Sequence, residues 1–171
     1  MSSFNVGFVL FPNLTQLDFT GPLQVLSRLP GATMRIVAKT MEPVPSDCNL
    51  GLVPTDTFET CPQLDLICVP GGGGVADAML DKPTVDFIRR QAAGAKYVTS
   101  VCTGAFLLAD AGLAEGRRLA THWEAAGELQ RRHPGVSVEA EPIFVRDGPI
   151  WSSAGFTAGI DLALALVEED H

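Results

Sequence analysis

Short, continuous runs of apolar residues recur along the chain and predict buried strands. The strongest runs are rich in Val, Ile, Leu and Phe and occupy residues 5–10, 33–38, 64–69 and 97–101. Strands that are covered on both faces show continuous apolar runs rather than alternation, as in a parallel sheet. Shorter strands are predicted at 136–140, 143–146 and 150–153, with Asp147-Gly148 as a hairpin turn before the last of them.

Helical patterns fill most of the intervals between these runs. They are predicted from near Thr15, over 75–80 and 82–93, from 105 to near Gly112, over 123–132 and over 155–167. Gly21-Pro22 interrupts the first helix, where we expect a bend or a short turn. Residues 41–54 form a Pro- and Ser-containing excursion with room for a short hairpin. The alternation predicts an α/β fold of the flavodoxin-like kind, a doubly wound and mostly parallel sheet.

Composition narrows the class of protein. A chain of 171 residues with 46% hydrophobic residues is long enough for one domain, expected to span 1–171. A formal net charge of -8 opposes direct binding to nucleic acid or to an anionic membrane. The N-terminus lacks a secretory signal pattern, and no apolar run is long enough to span a bilayer, so a cytoplasmic protein is expected.

The cysteines show no metal-binding pattern. They lie at positions 48, 61, 68 and 102, without a C-x-x-C pair. Free thiols are therefore expected rather than disulfides or zinc, although counting does not exclude a disulfide. No metal or cofactor is expected.

The turn that carries Cys102 is the best candidate for chemistry. The cysteine follows an apolar strand and precedes a helix, with Ser100 and Gly104 on either side in the pattern S-x-C-x-G. Small residues at these positions allow a tight strand-to-helix turn that projects a nucleophile from the end of a sheet. A helix N-terminus there would also favour the thiolate. The alternative is that Cys102 is a small buried hydrophobic residue.

Asp18 and His122 are further candidates, each with a structural alternative. Asp18 lies just beyond the first strand, where it would face the same sheet edge as Cys102, or it caps a helix. His122 follows a strand-like segment, where it would polarise the thiol or bind substrate, or form a structural hydrogen bond at a helix start.

The glycine run at residues 71–74 invites comparison with a dinucleotide fingerprint. Gly71-x-Gly73-x-x-Ala76 matches nominally, but the run does not follow the first strand. No Asp or Glu lies between Phe87 and Ala109, where the ribose-binding acid is required. The run instead predicts backbone amides of Gly72 and Gly73 that stabilise an oxyanion or thiolate, or merely a tight turn.

Several longer segments resemble the DJ-1/PfpI superfamily, and within it the isocyanide hydratases. The segments are LFPNLTQLDFTGP (10–22), LDLICVPGGGG (64–74), YVTSVCTGAFLLADAGL (97–113), ATHW (120–123) and SAGFTAGIDLALAL (153–166). The resemblance implies a class I glutamine amidotransferase-like fold, Cys102 as nucleophile and Asp18 as the acid that contacts it. It also implies that the Gly72 region, Thr103 and Gly104 bound the pocket, that the substrate is a small molecule and that the protein is a homodimer.

The residue after the cysteine separates this chain from the protease-like members of the superfamily. Those members place a His there, whereas this chain has Thr103. The implied reaction is hydration of an isocyanide to an N-substituted formamide, with Asp18 supplying a proton, provided that burial keeps it partly protonated.

Two other interpretations stay open. The segment Trp151-Ser152-Ser153-Ala154 and the ending DLALALVEEDH resemble the amidotransferase-like sensor domain of AraC-type transcription regulators. In that interpretation the domain binds a small molecule without turnover, and the chain is a fragment. A redox or deglycase-like stress protein, with Cys102 as the oxidised group, is the third.

Overall fold

The computed structural model of the chain describes residues 3–170 and is built around a seven-stranded sheet. Its strands are β1 (Phe4–Val9), β2 (Ala32–Ala38), β5 (Asp56–Thr57), β6 (Leu66–Val69), β7 (Tyr97–Val101), β10 (Phe144–Asp147) and β11 (Ile150–Ser153). Two small sheets pair β3 (Val44–Pro45) with β4 (Gly51–Leu52) and β8 (Arg118–Ala120) with β9 (Ser137–Glu139).

Six α-helices and one short 3-10 helix connect the strands. The α-helices are α1 (Gln16–Leu26), α2 (Val75–Leu80), α3 (Lys82–Ala92), α4 (Gly104–Asp110), α5 (Ala126–Arg132) and α6 (Ala158–Asp170). The 3-10 helix, Trp123–Ala125, directly precedes α5.

The strand order places the site at a change of direction in the sheet. The order is β10-β11-β7-β6-β1-β2-β5, and every pairing is parallel except β10 with β11. The chain runs from β1 outward to β2 and β5, then returns to β6 on the other side of β1. Ligands of such sheets bind beyond the carboxyl ends of the strands near this reversal. The predicted doubly wound α/β fold is confirmed.

The central strands are buried on both faces, which explains their continuous apolar runs. Phe8, Leu66, Ile67 and Val101 have no exposed surface. The predicted hairpins are also present. The β10–β11 turn contains Gly148 at φ +61°, and β3 pairs with β4 inside the 41–54 excursion.

Two predictions about helices differ from the structure. Helix α1 runs through Gly21-Pro22 as one helix rather than as two pieces, and Gly21 lies against α6, where a methyl group on it would be 3.0 Å from Ile160. Helix α6 begins at Ala158 rather than at Gly155, because Phe156 adopts a left-handed φ of +56° that no α-helix accepts. Strand β5, at the sheet edge, was not predicted, because two residues are too few to show periodicity.

Within residues 3–170, no helix combines the length and apolar character needed to cross a membrane.

Candidate active site

Cys102 occupies a strained turn between β7 and α4. Its φ of +56° is unfavourable for a residue with a side chain and costs on the order of 1–3 kcal/mol. Hydrogen bonds to both backbone groups hold the turn: Cys102 N–H donates to the carbonyls of Ser153 at 3.0 Å and Ala154 at 3.2 Å. The hydroxyl of Thr121 donates to the Cys102 carbonyl at 2.9 Å. The surrounding structure therefore fixes a conformation that the residue would not adopt alone.

Two glycines make room for this turn. A methyl group on Gly104 would clash with the carbonyl oxygen of Val69, and one on Gly71 would lie 2.6 Å from Thr103 N and 2.9 Å from Cys102 Cβ. Both obstacles are largely backbone, which cannot move without opening the turn. The S-x-C-x-G pattern thus forms the expected strand-to-helix elbow.

Asp18 lies in the first turn of α1 but does not cap it. Its carboxyl is fully buried, and Oδ1 accepts a hydrogen bond from the backbone N–H of Phe156 at 3.0 Å. Oδ2 is buried and has no hydrogen-bond partner among the described residues. An unpaired buried carboxylate oxygen is costly, and such atoms occur where a proton or ligand is exchanged.

Burial and proximity shift the pKa of both side chains. Loss of solvent raises the pKa of Asp18 to about 6, against the lowering effects of the Phe156 and Gly71 N–H groups. Loss of solvent, followed by the negative charge of Asp18, raises the pKa of the Cys102 thiol to about 11. The amide of Thr103 favours the thiolate but is outweighed. The expectation of an ionised sulfur at rest is therefore corrected, because burial of the elbow dominates the helix N-terminus.

The two groups together hold one proton around neutral pH. Between about 6 and about 11, Asp18 is ionised while Cys102 is a thiol. Transfer of that proton from sulfur to carboxylate leaves the net charge of the pair unchanged, so its cost is smaller than ionisation of an isolated buried thiol. Asp18 is suited to take the proton as sulfur attacks and to return it afterwards.

Of the other predicted site residues, Thr103 and Gly72 lie at the elbow, whereas Gly73 does not. The Thr103 hydroxyl accepts a hydrogen bond from Gly72 N–H at 2.9 Å, so this amide supports the turn rather than an incoming oxyanion. Gly73 is exposed, and a side chain added there would meet no atom within 4 Å. The glycine loop therefore acts on the site mainly through Gly71 and Gly72.

His122 both makes a structural hydrogen bond at a helix start and lies near the thiol. Its Nδ1 accepts a hydrogen bond from Glu124 N–H at 3.2 Å, which caps the 3-10 helix. The same ring borders the thiol: a methyl group on Gly155 would lie 3.1 Å from Cys102 Sγ and 3.2 Å from His122 Cδ2. His122 is therefore a structural residue at the edge of the active site.

The role of Phe156 was not foreseen from the sequence. Its backbone N–H is the donor to Asp18, across 138 residues of chain. The segment SAGFTAG drew attention only through its resemblance to known proteins, and no local pattern distinguishes a residue that acts through its main chain. Thr121, which donates to the Cys102 carbonyl, was missed for the same reason.

The remaining thiols lie outside the elbow and form no disulfide. All four cysteines are free. Cys68 is buried within β6, and loss of solvent raises its pKa to about 12. Within the described part of the chain, no group of three His, Cys, Asp or Glu side chains is placed to hold a metal ion.

Comparison with known proteins places this site in context. Residues 5–169 match the model of the DJ-1/PfpI family. The chain is 50% identical over 167 residues to an isonitrile hydratase from Pseudomonas putida, covering 98% of this chain and 72% of that protein. It is 28% identical over 173 residues to the HTH-type transcriptional regulator GbdR from Pseudomonas aeruginosa, covering 98% of this chain and 47% of the regulator.

A solved structure shows the same fold along the whole chain. A ThiJ/PfpI family protein from Pseudomonas syringae has a TM-score of 0.92 and 38% sequence identity, covering 99% of this chain and 69% of that one.

Proposed function

The chain belongs to the DJ-1/PfpI family, and from this premise we propose that it hydrates isocyanides to N-substituted formamides with Cys102 as nucleophile and Asp18 as acid and base. The observation that supports this most is the buried Asp18 carboxyl, whose charge and side-chain hydrogen bond raise the pKa of the Cys102 thiol and whose Oδ2 has no other partner among the described residues. The 50% identity to an isonitrile hydratase makes the isocyanide the first substrate to test.

The first half of the proposed reaction attaches the substrate to sulfur. Asp18 takes the thiol proton while Sγ bonds to the terminal carbon of R–N≡C. Asp18 then delivers the same proton to that carbon, which yields a thioimidate, R–N=CH–S–Cys102. One S–C bond and one C–H bond form, and the thiol S–H bond breaks. The carboxylate ends in its starting state.

The second half releases the product. Water adds across the C=N bond and gives a tetrahedral carbon that carries OH, NHR and the Cys102 sulfur. Collapse breaks the C–S bond, the OH proton returns to sulfur through Asp18, and R–NH–CHO leaves. The sum is R–NC plus water to one formamide, without a cofactor or any change in oxidation state.

Formamide production by the purified protein tests the proposal. We expect turnover of a simple isocyanide by wild type and loss of at least about a thousandfold in Cys102→Ala, because removal of a covalent nucleophile leaves only binding. Cys61→Ala is the matched control, since its thiol is half-buried beside Asp56, Arg35 and Arg90 rather than beside Asp18. Equal turnover in wild type and Cys102→Ala would contradict the proposal.

A ligand-sensing role is the second candidate, favoured by the 28% identity to a transcriptional regulator. In a sensor, Cys102 and Asp18 would line a binding site and turn over nothing. Saturable binding of a small molecule without formamide release would support it. A redox role for Cys102 would need the same proton transfer to Asp18, because the pKa of the thiol is raised to about 11.

Homodimer formation remains part of the proposal. Size-exclusion chromatography with light scattering would give the mass in solution, and a mass of 18.1 kDa would contradict it.

A further inference from the structure

One aromatic ring, that of His122, lies near the thiol, and the rings of Trp123 and Phe156 pack on it. We call these three rings the aromatic rim. The His122 ring is stacked with Trp123, with centroids 5.9 Å apart and planes at 23°. It meets Phe156 edge to face, with centroids 6.3 Å apart and planes at 80°. His122 itself approaches the same Gly155 position as the Cys102 sulfur. The rim is therefore continuous with the active site.

The two outer rings are left in water. Trp123 is 68% exposed and Phe156 is 51% exposed. Single exposed apolar residues are ordinary on protein surfaces. These two are not scattered, because both are within aromatic contact distance of one imidazole beside the nucleophile. Phe156 also holds a left-handed φ of +56°, a strain that concentrates at functional positions.

The geometry of an isocyanide directs its substituent to this rim. Free R–N≡C is linear, and in the bent thioimidate that forms on Sγ the nitrogen carries R one atom beyond the bonded carbon. Gly71 lies against Cys102 Cβ, and His122, the central ring of the rim, lies near the sulfur at Gly155. An aromatic R group would stack on the rim or meet it edge to face, whereas a methyl group would not reach it.

We propose that the aromatic rim is the substituent-binding surface, and that this protein favours isocyanides with an aromatic R group over small alkyl ones. The inference rests on the proposed function for its choice of substrate. It assigns specificity to Trp123 and Phe156, whose side chains take no part in the proton transfer.

A substrate series measures this preference. We expect kcat/KM for benzyl isocyanide to exceed that for methyl isocyanide by at least about tenfold in wild type, and most of that ratio to be lost in Trp123→Ala and Phe156→Ala. Alanine bears the same φ penalty at position 156 as phenylalanine, so the comparison isolates the ring. Phe156→Leu keeps apolar bulk, so its ratio of the two kcat/KM values should lie between those of wild type and Phe156→Ala.

Leu80→Ala is the control for the loss of an exposed apolar side chain, because Leu80 is 86% exposed and lies on α2 outside the rim. It should keep the wild-type ratio of the two substrates. Ratios that are the same in wild type and both rim variants would overturn the proposal.

Binding without turnover separates this inference from the hydratase proposal. In Cys102→Ala, N-benzylformamide should quench tryptophan fluorescence saturably, because Trp123 is exposed while the other tryptophan, Trp151, is 2% exposed. Trp123→Phe should remove the signal, and N-methylformamide should not produce it. Quenching in a protein that hydrates no isocyanide would overturn the reaction and keep the aromatic site. Turnover with neither quenching nor substrate preference would overturn the rim alone.

Discussion

The carboxyl edge of the sheet has two regions where a small molecule could bind, and they differ in their free volume and in the hydrogen bonding of their carboxyl groups. One is the elbow at the end of β7, which is closely packed. The other is a cavity of about 620 Å³ beyond the ends of β1 and β2, against α2. None of the residues that line the cavity belongs to the elbow or to the aromatic rim. Its lining includes Leu10, Lys39, Ala78, Asp81 and Thr84.

The carboxyl groups of the two regions differ in hydrogen bonding and in the direction of their pKa shifts. In the cavity, Asp81 is satisfied by Lys39 Nζ at 2.8 Å and by the Thr84 hydroxyl at 2.6 Å, and these partners lower its pKa although burial raises it. At the elbow, Asp18 keeps an unpaired oxygen and a raised pKa. The comparison teaches that volume alone does not locate chemistry, because a reactive site needs groups whose partners are still missing.

Replacement of Asp18 at the elbow should reduce turnover far more than replacement of Asp81 in the cavity. Asp18→Asn retains the acceptor for Phe156 N–H but cannot take the thiol proton, so turnover should fall by about 10²–10⁴-fold. Initial rates of formamide formation measure it. Asp81→Asn in the cavity is the matched control and should change turnover little. A larger loss of turnover in Asp81→Asn than in Asp18→Asn would place the chemistry in the cavity instead of at the elbow.

The same Asp18→Asn change should stabilise the fold. Because the pKa of Asp18 is raised from 3.8 to about 6, the carboxyl favours the folded state when protonated, and this contribution is lost as pH rises through about 6. The stability advantage of Asn over Asp should therefore grow by about 2 kcal/mol between pH 4 and pH 8. Urea unfolding of both proteins at the two pH values measures it. An advantage that shrinks with pH would contradict the assignment.

The pH dependence of turnover should report the same group. Below about pH 6 Asp18 is protonated and cannot accept the thiol proton, so kcat/KM should fall about tenfold for each pH unit. An enzyme-free blank at every pH corrects for acid hydrolysis of the isocyanide. If kcat/KM began to fall only below about pH 4, Asp18 would not be buried as described.

The hydroxyl of Thr103 should matter less for turnover than the Asp18 carboxyl or the Cys102 thiol. Thr103→Val leaves Gly72 N–H without its acceptor, at a cost of about 1–3 kcal/mol. We expect a fivefold to fiftyfold loss of turnover, on the order of the same energy, as the elbow loosens. Thr103→Ser keeps the hydroxyl and should retain most activity. Wild-type turnover in Thr103→Val would contradict the role given to the hydroxyl.

Filling the cavity should have the smallest effect. Thr40 is exposed and lines the cavity, so Thr40→Trp would occupy part of its volume. Turnover should change by less than about twofold, in line with surface substitutions away from special features. A severe loss, with wild-type stability, would place the substrate in the cavity and break the comparison.

The elbow could be predicted from the sequence because its causes are local. An apolar run, two flanking small residues and a following helix define it within about ten positions, and the glycine run was correctly placed beside it. Asp18 stood between two interpretations until the structure showed that Phe156, 138 residues away, supplies its hydrogen bond. No periodicity or turn pattern carries such information.

The sequence by itself therefore determined the central strands and the tight strand-to-helix turn at one cysteine, since backbone preference and apolar patterning act over a few residues. Only the tertiary structure decided which protonation states the site holds. Cys68 and Cys102 are both buried and the charge of Asp18 raises the pKa of both, yet only Cys102 lies in a left-handed turn that leads into a helix. A pKa depends on desolvation and on charges brought together across the fold, and those distances exist only once the chain has folded.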